Sequence, residues 1–213
     1  AKRIVIVGAG VVGTTCAGRL SRDGHDVTVV ERNEELAREI DERHDVRVVV
    51  GNGCALPVLY EAGIESADIL LAVTDSDEAN MITALTVGSN PELDARVTKV
   101  IRVRGREYVQ NLEELSKRLA KPILMINPDE VAARRILSLI EVPASVDVAP
   151  LLDGALKIVG FRIRSGSPLD GKTLKELPAL FDGRPPLIPV IYRGDEVLLP
   201  TGDTDIRPQD LVY

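Results

Sequence analysis

The sequence predicts an α/β protein: a doubly wound parallel sheet of six strands, followed by a small α+β module. Two observations carry the first part. Residues 2–126 alternate short, β-branched apolar runs with longer amphipathic stretches, and several runs, such as Ile4-Val5-Ile6-Val7 and Ile69-Leu70-Leu71-Ala72-Val73, are apolar at every position. Strands that bury both faces are what a parallel sheet covered by helices requires. A third observation carries the second part. From about Ser145 prolines and glycines become dense and the strand patterns shorten, the texture of a different unit.

The strands are expected at Arg3–Val7, Asp26–Val30, Val46–Val50, Asp68–Val73, Thr98–Val103 and Pro122–Ile126, with helices near 11–23, 33–43, 56–62, 76–90 and 107–119 between them. This order is that of a doubly wound sheet. Asn127-Pro128-Asp129-Glu130 then reads as a helix start, with Asn as N-cap, Pro at the first helical position and acids in the first turn. That helix runs to about Glu141 and stops before Pro143. Its apolar positions Val131, Ala132, Ile136, Leu139 and Ile140 form one stripe, suited to packing on its own sheet or on a partner subunit. The tail shows strand patterns at Leu156–Arg164, Leu187–Tyr192, Glu196–Leu199 and Asp210–Tyr213, and Leu169–Leu174 reads as a turn into a short helix ending before Pro178. The domains expected are 1–127, a connecting helix and linker at 128–144, and 145–213. The stop at Leu211-Val212-Tyr213, inside a strand pattern, reads as a boundary within a longer protein.

Composition narrows the functional classes. Among 213 residues there are 26 Lys and Arg against 33 Asp and Glu, a net charge of −7. The excess of acid holds in both parts, with 18 basic and 23 acidic residues in 1–144 and 8 and 10 in 145–213. A nucleic-acid surface needs the opposite balance to displace counterions, so no nucleic-acid partner is expected. Two cysteines, Cys16 and Cys54, cannot make a disulfide framework and suit a reducing compartment. No run approaches a membrane span, and Ala1-Lys2-Arg3-Ile4 leads straight into a strand pattern, leaving no room for a signal peptide. The expectation is a soluble, cytoplasmic chain with no metal site, because His and Cys form no ligand cluster.

Gly8-Ala9-Gly10-Val11-Val12-Gly13 is a G-x-G-x-x-G placed directly after a strand pattern and opening a helix. Gly8 permits the tight turn, Gly10 lets backbone approach a pyrophosphate, and Gly13 lets the helix lie close to the strand. The phosphates then face a helix N-terminus. Glu31, 18 residues past Gly13, stands where a carboxylate accepts hydrogen bonds from the adenosine ribose. Fingerprint, context and acid together read as a Rossmann-type dinucleotide site. Arg32 could pair with a 2′-phosphate, but Glu31 holds the usual position, so NAD(H) is expected over NADP. Ligands in such folds bind at the carboxyl ends of the strands. Asn52, Gly53 and Cys54 after strand three, Thr74 and Asp75 after strand four, and Arg102 at the end of strand five are therefore further candidates.

No catalytic residue is proposed. A dehydrogenase needs a general acid or base near the nicotinamide, yet His25 and His44, the two histidines of the chain, precede strands two and three at their amino ends. Cys54 lies nearer the site without a helper to activate it. Binding without turnover is the better reading, and a small NAD-dependent oxidoreductase is the alternative.

Gly8–Gly13 with Glu31, the Gly51-Asn52-Gly53-Cys54 loop, the stretch Ala72-Val73-Thr74-Asp75-Ser76-Asp77-Glu78-Ala79-Asn80-Met81 and Ile101-Arg102-Val103-Arg104 resemble the RCK (KTN) domain, the regulator of potassium conductance. Within that family the chain is most similar to the TrkA regulatory subunits of Trk-type potassium uptake systems. Ser167–Leu174, Val190–Arg193 and Leu199-Pro200 followed by Gly202-Asp203 resemble the small C-terminal RCK subdomain. The resemblance implies a cytosolic gating subunit that binds NAD(H), ATP or ADP, assembles as a dimer or larger ring through the helix at 128–141, and docks on the cytoplasmic face of a TrkH-type membrane potassium transporter. It implies phosphate contacts for Gly8, Gly10, Gly13 and Arg102, the ribose for Glu31, adenine for Asn52 and Gly53, and the rest of the ligand for Thr74 and Asp75. Family members often carry Gly-Asp-Ala-Thr where this chain has Gly51–Cys54, a change on the adenine side.

Overall fold

A computed structural model describes residues 1–141, 145–151 and 155–213. It divides into two compact units, Ala1–Val131 and Ala132–Tyr213.

The first unit holds a six-stranded, all-parallel sheet. Its strands are β1 (Arg3–Val7), β2 (Asp26–Glu31), β3 (Arg47–Val50), β4 (Ile69–Ala72), β5 (Thr98–Arg102) and β6 (Ile123–Ile126), in the order β3-β2-β1-β4-β5-β6. The chain winds outward from β1 to β3, returns, and winds from β4 to β6. The order therefore reverses between β1 and β4, where Val7 lies opposite Ala72 in register. Alternation along the strands separates two cores. Val5 and Val7 join Leu70, Ala72 and Ile101 beneath Leu59, Ala84, Val87 and Leu112, whereas Ile4 and Ile6 join Val27 and Val29 beneath Ala17 and Ile40. Each face has its own helices, which is why no residue of β1 after Arg3 can be polar.

The helices are α1 (Val11–Arg22), α2 (Glu34–Arg43), α3 (Leu56–Glu61), α4 (Asp77–Gly88), α5 (Pro91–Arg96), α6 (Arg106–Ser116) and α7 (Pro128–Glu141). The helix expected over 76–90 is α4, and the sequence reading missed the short helix α5 that follows it. Asn90 accepts hydrogen bonds from the Glu92 and Leu93 N–H groups and Pro91 opens the new helix, so the Asn-Pro pair that ends one helix starts the next. α5 carries Asp94, which pairs with the fully buried Lys99 of β5 and accepts from the Ala120 N–H at 2.6 Å. Burial acts to raise the Asp94 carboxyl; the Lys99 ammonium and the Ala120 N–H outweigh it and hold it below the ordinary range. The buried lysine of β5 is thus the partner of an ion pair.

The second unit contains a five-stranded antiparallel sheet in the order β10-β9-β11-β8-β7. Its strands are β7 (Ser145–Leu151), β8 (Leu156–Arg162), β9 (Ile191–Arg193), β10 (Glu196–Leu198) and β11 (Leu211–Val212). Ile163, Leu177, Ile191, Ile206 and Val212 form its core. Two expectations are corrected. The strand read at Leu187–Tyr192 begins only at Ile191, because Pro185, Pro186 and Pro189 supply no N–H to a ladder. The short helix does not end before Pro178. A 3₁₀ turn at Leu174–Glu176 passes into α8 (Leu177–Leu180), with Pro178 in its first turn where the missing N–H costs nothing. β7 has no counterpart among the expected strands. The expected stop before Pro143 falls outside the described residues. No described helix is long and apolar enough to cross a membrane.

Candidate functional site

The turn from β1 to α1 is set by its glycines. Gly8 has φ +104, a conformation that side-chain-bearing residues rarely adopt. At Gly13 an added Cβ would lie 1.8 Å from the Gly8 carbonyl oxygen, so the helix rests directly on the turn. Gly10 differs: a Cβ there would meet nothing within 4 Å. The space beside it is open, as required of a backbone that a ligand approaches. α1 also begins without a side-chain cap, leaving first-turn N–H groups for an anion.

Glu31, at the end of β2, is buried. Its carboxylate accepts from the Ala9 N–H at 2.7 Å and from the Asn33 N–H at 2.9 Å. It braces the glycine turn against the β2–α2 connection while each oxygen keeps a further lone pair for a hydroxyl donor. Beyond β3, Asn52 accepts from the Cys54 N–H through its own side chain. A Cβ on Gly53 would lie 2.2 Å from the Val7 side chain, so this loop packs directly on β1. The Cys54 thiol faces the Ala79 carbonyl at 3.6 Å.

On the other side of the switch, Asn80 is the organising residue. Fully buried at the first turns of α4, it donates to the carbonyls of Thr74 and Arg102 at 3.1 and 2.9 Å and accepts from the Thr74 N–H and hydroxyl at 2.9 and 2.8 Å. One amide therefore ties the ends of β4 and β5 together. Ser76 caps α4 through the Ala79 N–H, and Asp77 accepts from the N–H groups of Arg104 and Gly105, both at 2.8 Å. Glu78 accepts from the Tyr108 hydroxyl at 2.7 Å, which leads the effects that lower its carboxyl pKa. The Nε of Arg102 is buried and has no hydrogen-bond acceptor among the described residues.

These loops enclose a cleft of about 450 Å³ at the carboxyl end of the sheet, within the range of small-molecule sites. Every predicted position except Ala9 and Gly13 lines it. Those two act from behind, Ala9 on Glu31 and Gly13 on Gly8. The sequence reading missed Arg104, Asn33, Leu36 and Ser76 among the lining residues. For Arg104 a signal existed in its place just past Arg102, in the loop at the carboxyl end of β5 where ligands of such folds bind. Three arginines, Arg32, Arg102 and Arg104, border the cleft against two acids, Glu31 and Asp75, in a chain whose net charge is −7. The histidines lie elsewhere: the His25 Nδ1 accepts from the Lys2 N–H, and the His44 ring packs over Gly18. Orphaned Arg102, open Gly10 and uncapped α1 together fit a phosphate-bearing ligand.

Comparison with known proteins agrees with this architecture. Residues 4–135 match the TrkA-N domain and residues 158–213 the TrkA-C domain. The Trk system potassium uptake protein TrkA of Halomonas elongata is 36% identical over 212 residues, covering 99% of this chain and 46% of that relative. The TrkA homolog of Pyrococcus abyssi is 30% identical over 203 residues, covering 95% of this chain and 87% of the relative. The chain thus spans about half the length of the first of these and most of the second. Among solved structures, the GsuK channel bound to NAD shares the fold with a TM-score of 0.64 at 24% identity, over 99% of this chain and 36% of that one. The GsuK RCK domain does so with a TM-score of 0.62 at 21% identity, over 99% and 44%. The chain belongs to the TrkA family, with a TrkA-N domain followed by a TrkA-C domain.

Proposed function

We propose that the chain is a nucleotide-binding regulatory part of a potassium uptake system, without catalytic turnover of its own. The observation that carries this reading is the cleft at the strand switch, lined by Gly10, Glu31 and Arg102 beside the uncapped N-terminus of α1. A diphosphate bridging the α1 N-terminus and Arg102 takes charge-assisted bonds from the guanidinium. Glu31 then takes the ribose hydroxyls of the adenosine half with its remaining lone pairs, Arg32 borders that half, and Asn52, Gly53 and Cys54 lie beside the adenine. Thr74 and Asp75 border the second half. The ligands proposed are NAD(H), in keeping with the NAD of the GsuK structure, and also ATP or ADP.

The proposed division of labour is nucleotide binding by 1–127, subunit association by 128–144 and a small regulatory module at 145–213. On α7, Val131, Ile136, Leu137 and Ile140 are each more than half exposed, an apolar surface of the kind that pairs with another subunit. Leu139, also on the predicted stripe, has its side chain outside the described residues. The assembly, a dimer or larger ring, would sit in the cytoplasm on the inner face of a TrkH-type transporter. Each nucleotide shifts the transporter only by its differential affinity for the two assembly states.

Calorimetric titration with NAD, NADH, ATP and ADP, alongside a mass measurement, tests this. Micromolar binding by a dimer or larger species is expected, and Ile136→Glu is expected to lower the mass. Absence of binding by all four ligands removes the proposal, and steady cofactor oxidation with a metabolite at enzyme-like rates replaces it with an oxidoreductase.

A further inference from the structure

We propose that Arg104 and Asn127 form a mechanical link between the cleft and the start of α7, so that nucleotide in the cleft is felt as tightening of the α7 N-cap. The proposal rests on the nucleotide-binding reading above.

Arg104 faces both ways. Arg104 borders the cleft, and its guanidinium donates to the Asp75 main-chain carbonyl at 3.2 Å, a neutral acceptor. Its own N–H is held by Asp77 at 2.8 Å. Its carbonyl accepts from the Asn127 side-chain amide at 3.1 Å. Asn127 in turn caps α7, its oxygen accepting from the N–H groups of Asp129 and Glu130 at 3.0 and 3.1 Å. One amide side chain therefore spends its donor on the cleft wall and its acceptor on the helix. The path runs from Asp75 through Arg104 and Asn127 to the first turn of α7, all inside the first unit. The boundary to the second unit falls within α7, between Val131 and Ala132, so the capped turn is where the chain leaves the nucleotide-binding unit.

The differential contact is electrostatic. Among the described residues, the Arg104 guanidinium has one acceptor, the Asp75 backbone carbonyl. A phosphate in the cleft offers an anionic acceptor with which arginine can pair through two parallel bonds, in place of a neutral carbonyl, and fixes the Arg104 backbone. A fixed Arg104 carbonyl holds the Asn127 amide, and a held Asn127 keeps its cap on Asp129 and Glu130. By linkage, whatever factor the ligand adds to the cap, the cap adds to ligand affinity. Asn127 is thus a positioning residue that acts through Arg104.

Asn127→Asp separates the two roles, because aspartate caps a helix as well as asparagine does but has no donor for the Arg104 carbonyl. Asn127→Ser repeats the separation without the added charge. Hydrogen exchange is followed at single amides in the wild type and both variants, with NADH and ATP as probes. In the wild type, saturating nucleotide is expected to slow exchange at Asp129 and Glu130 by about fivefold. In both variants that slowing disappears while nucleotide still binds, with Kd raised by no more than the same factor. Without any nucleotide, both variants exchange faster at Arg104 and Gly105, whose N–H groups are held by Asp77. Slowing that persists in the variants, or a wild type that binds nucleotide with no change at α7, overturns the link while the nucleotide reading stands. If no nucleotide binds the wild type, the functional reading fails and regulation through the link fails with it. The ligand-free exchange at Arg104 and Gly105 then decides whether the mechanical connection itself exists.

Discussion

Two helices open on the same cleft, and their first turns are built in opposite ways. α4 is closed: Ser76 caps it, Asp77 and Glu78 stand in its first turn, and Tyr108 and the 104–105 backbone occupy those carboxylates. α1 has glycine at its cap position, no side-chain cap, and no acid in its first turn. A helix N-terminus attracts negative charge in either case. The chain supplies that charge at α4 and leaves it to be supplied at α1. The comparison separates a terminus that holds the fold from one that can hold a ligand, although both lie at carboxyl ends of neighbouring strands.

The largest effect that would break this contrast is expected from Gly13→Ala. Its methyl would enter the Gly8 carbonyl, costing about 3 kcal/mol of stability in urea unfolding and distorting the turn. Arg102→Gln removes the guanidinium whose Nε lacks an acceptor. It is expected to weaken nucleotide binding by about 2 kcal/mol, roughly 30-fold in a calorimetric Kd. Gly10→Ser converts α1 into the α4 arrangement. The backbone there, φ −67 and ψ −175, accepts any residue, so stability should hold or rise by a few tenths of a kcal/mol. Nucleotide affinity should nonetheless fall by about tenfold, since the hydroxyl takes the anion's place; unchanged affinity would place the phosphates elsewhere. Ser76→Ala uncaps α4 and is expected to cost about 1 kcal/mol in unfolding.

The smallest effect is a pH dependence. The Tyr108 hydroxyl holds the Glu78 carboxyl below its ordinary pKa. A carboxylate depressed on folding contributes stability above its unfolded pKa, and that contribution is lost as pH falls through the folded value. Tyr108→Phe should move the Glu78 titration, followed by carboxyl NMR, upward. The stability difference between variant and wild type should be present at neutral pH and vanish on acidification. A Glu78 titration that does not move means that other groups set its pKa.

Much of the first unit is legible in the amino-acid sequence. Glycine spacing, an apolar run before it and an acid at the end of the next strand are local signals, and each reports backbone chemistry that no neighbour can supply. Gly8, Gly13 and Glu31 stand where that pattern puts them, and α7 starts at the Asn-Pro pair as read. The second unit is less legible. Its short strands hold together through pairing with distant segments, so the true start of β9 carries no periodicity of its own, although the strand pattern at Asp210–Tyr213 does contain β11. α5 is hidden because Asn90-Pro91 serves equally as an end and a beginning.

By itself the sequence determined a parallel sheet, a glycine turn at the strand switch and a carboxylate beside it. These follow from side-chain size, φ preference and two-faced burial, all properties of short segments. Only the tertiary structure decided that Glu31 braces Ala9, that Asn80 joins Thr74 to Arg102, and that the Arg104 carbonyl meets Asn127. Such bonds pair residues as far as 23 positions apart, and they form because β2 and β1, and likewise β4, β5 and β6, end side by side. A hydrogen bond between loops depends on which strands are neighbours, and strand order is a property of the whole sheet.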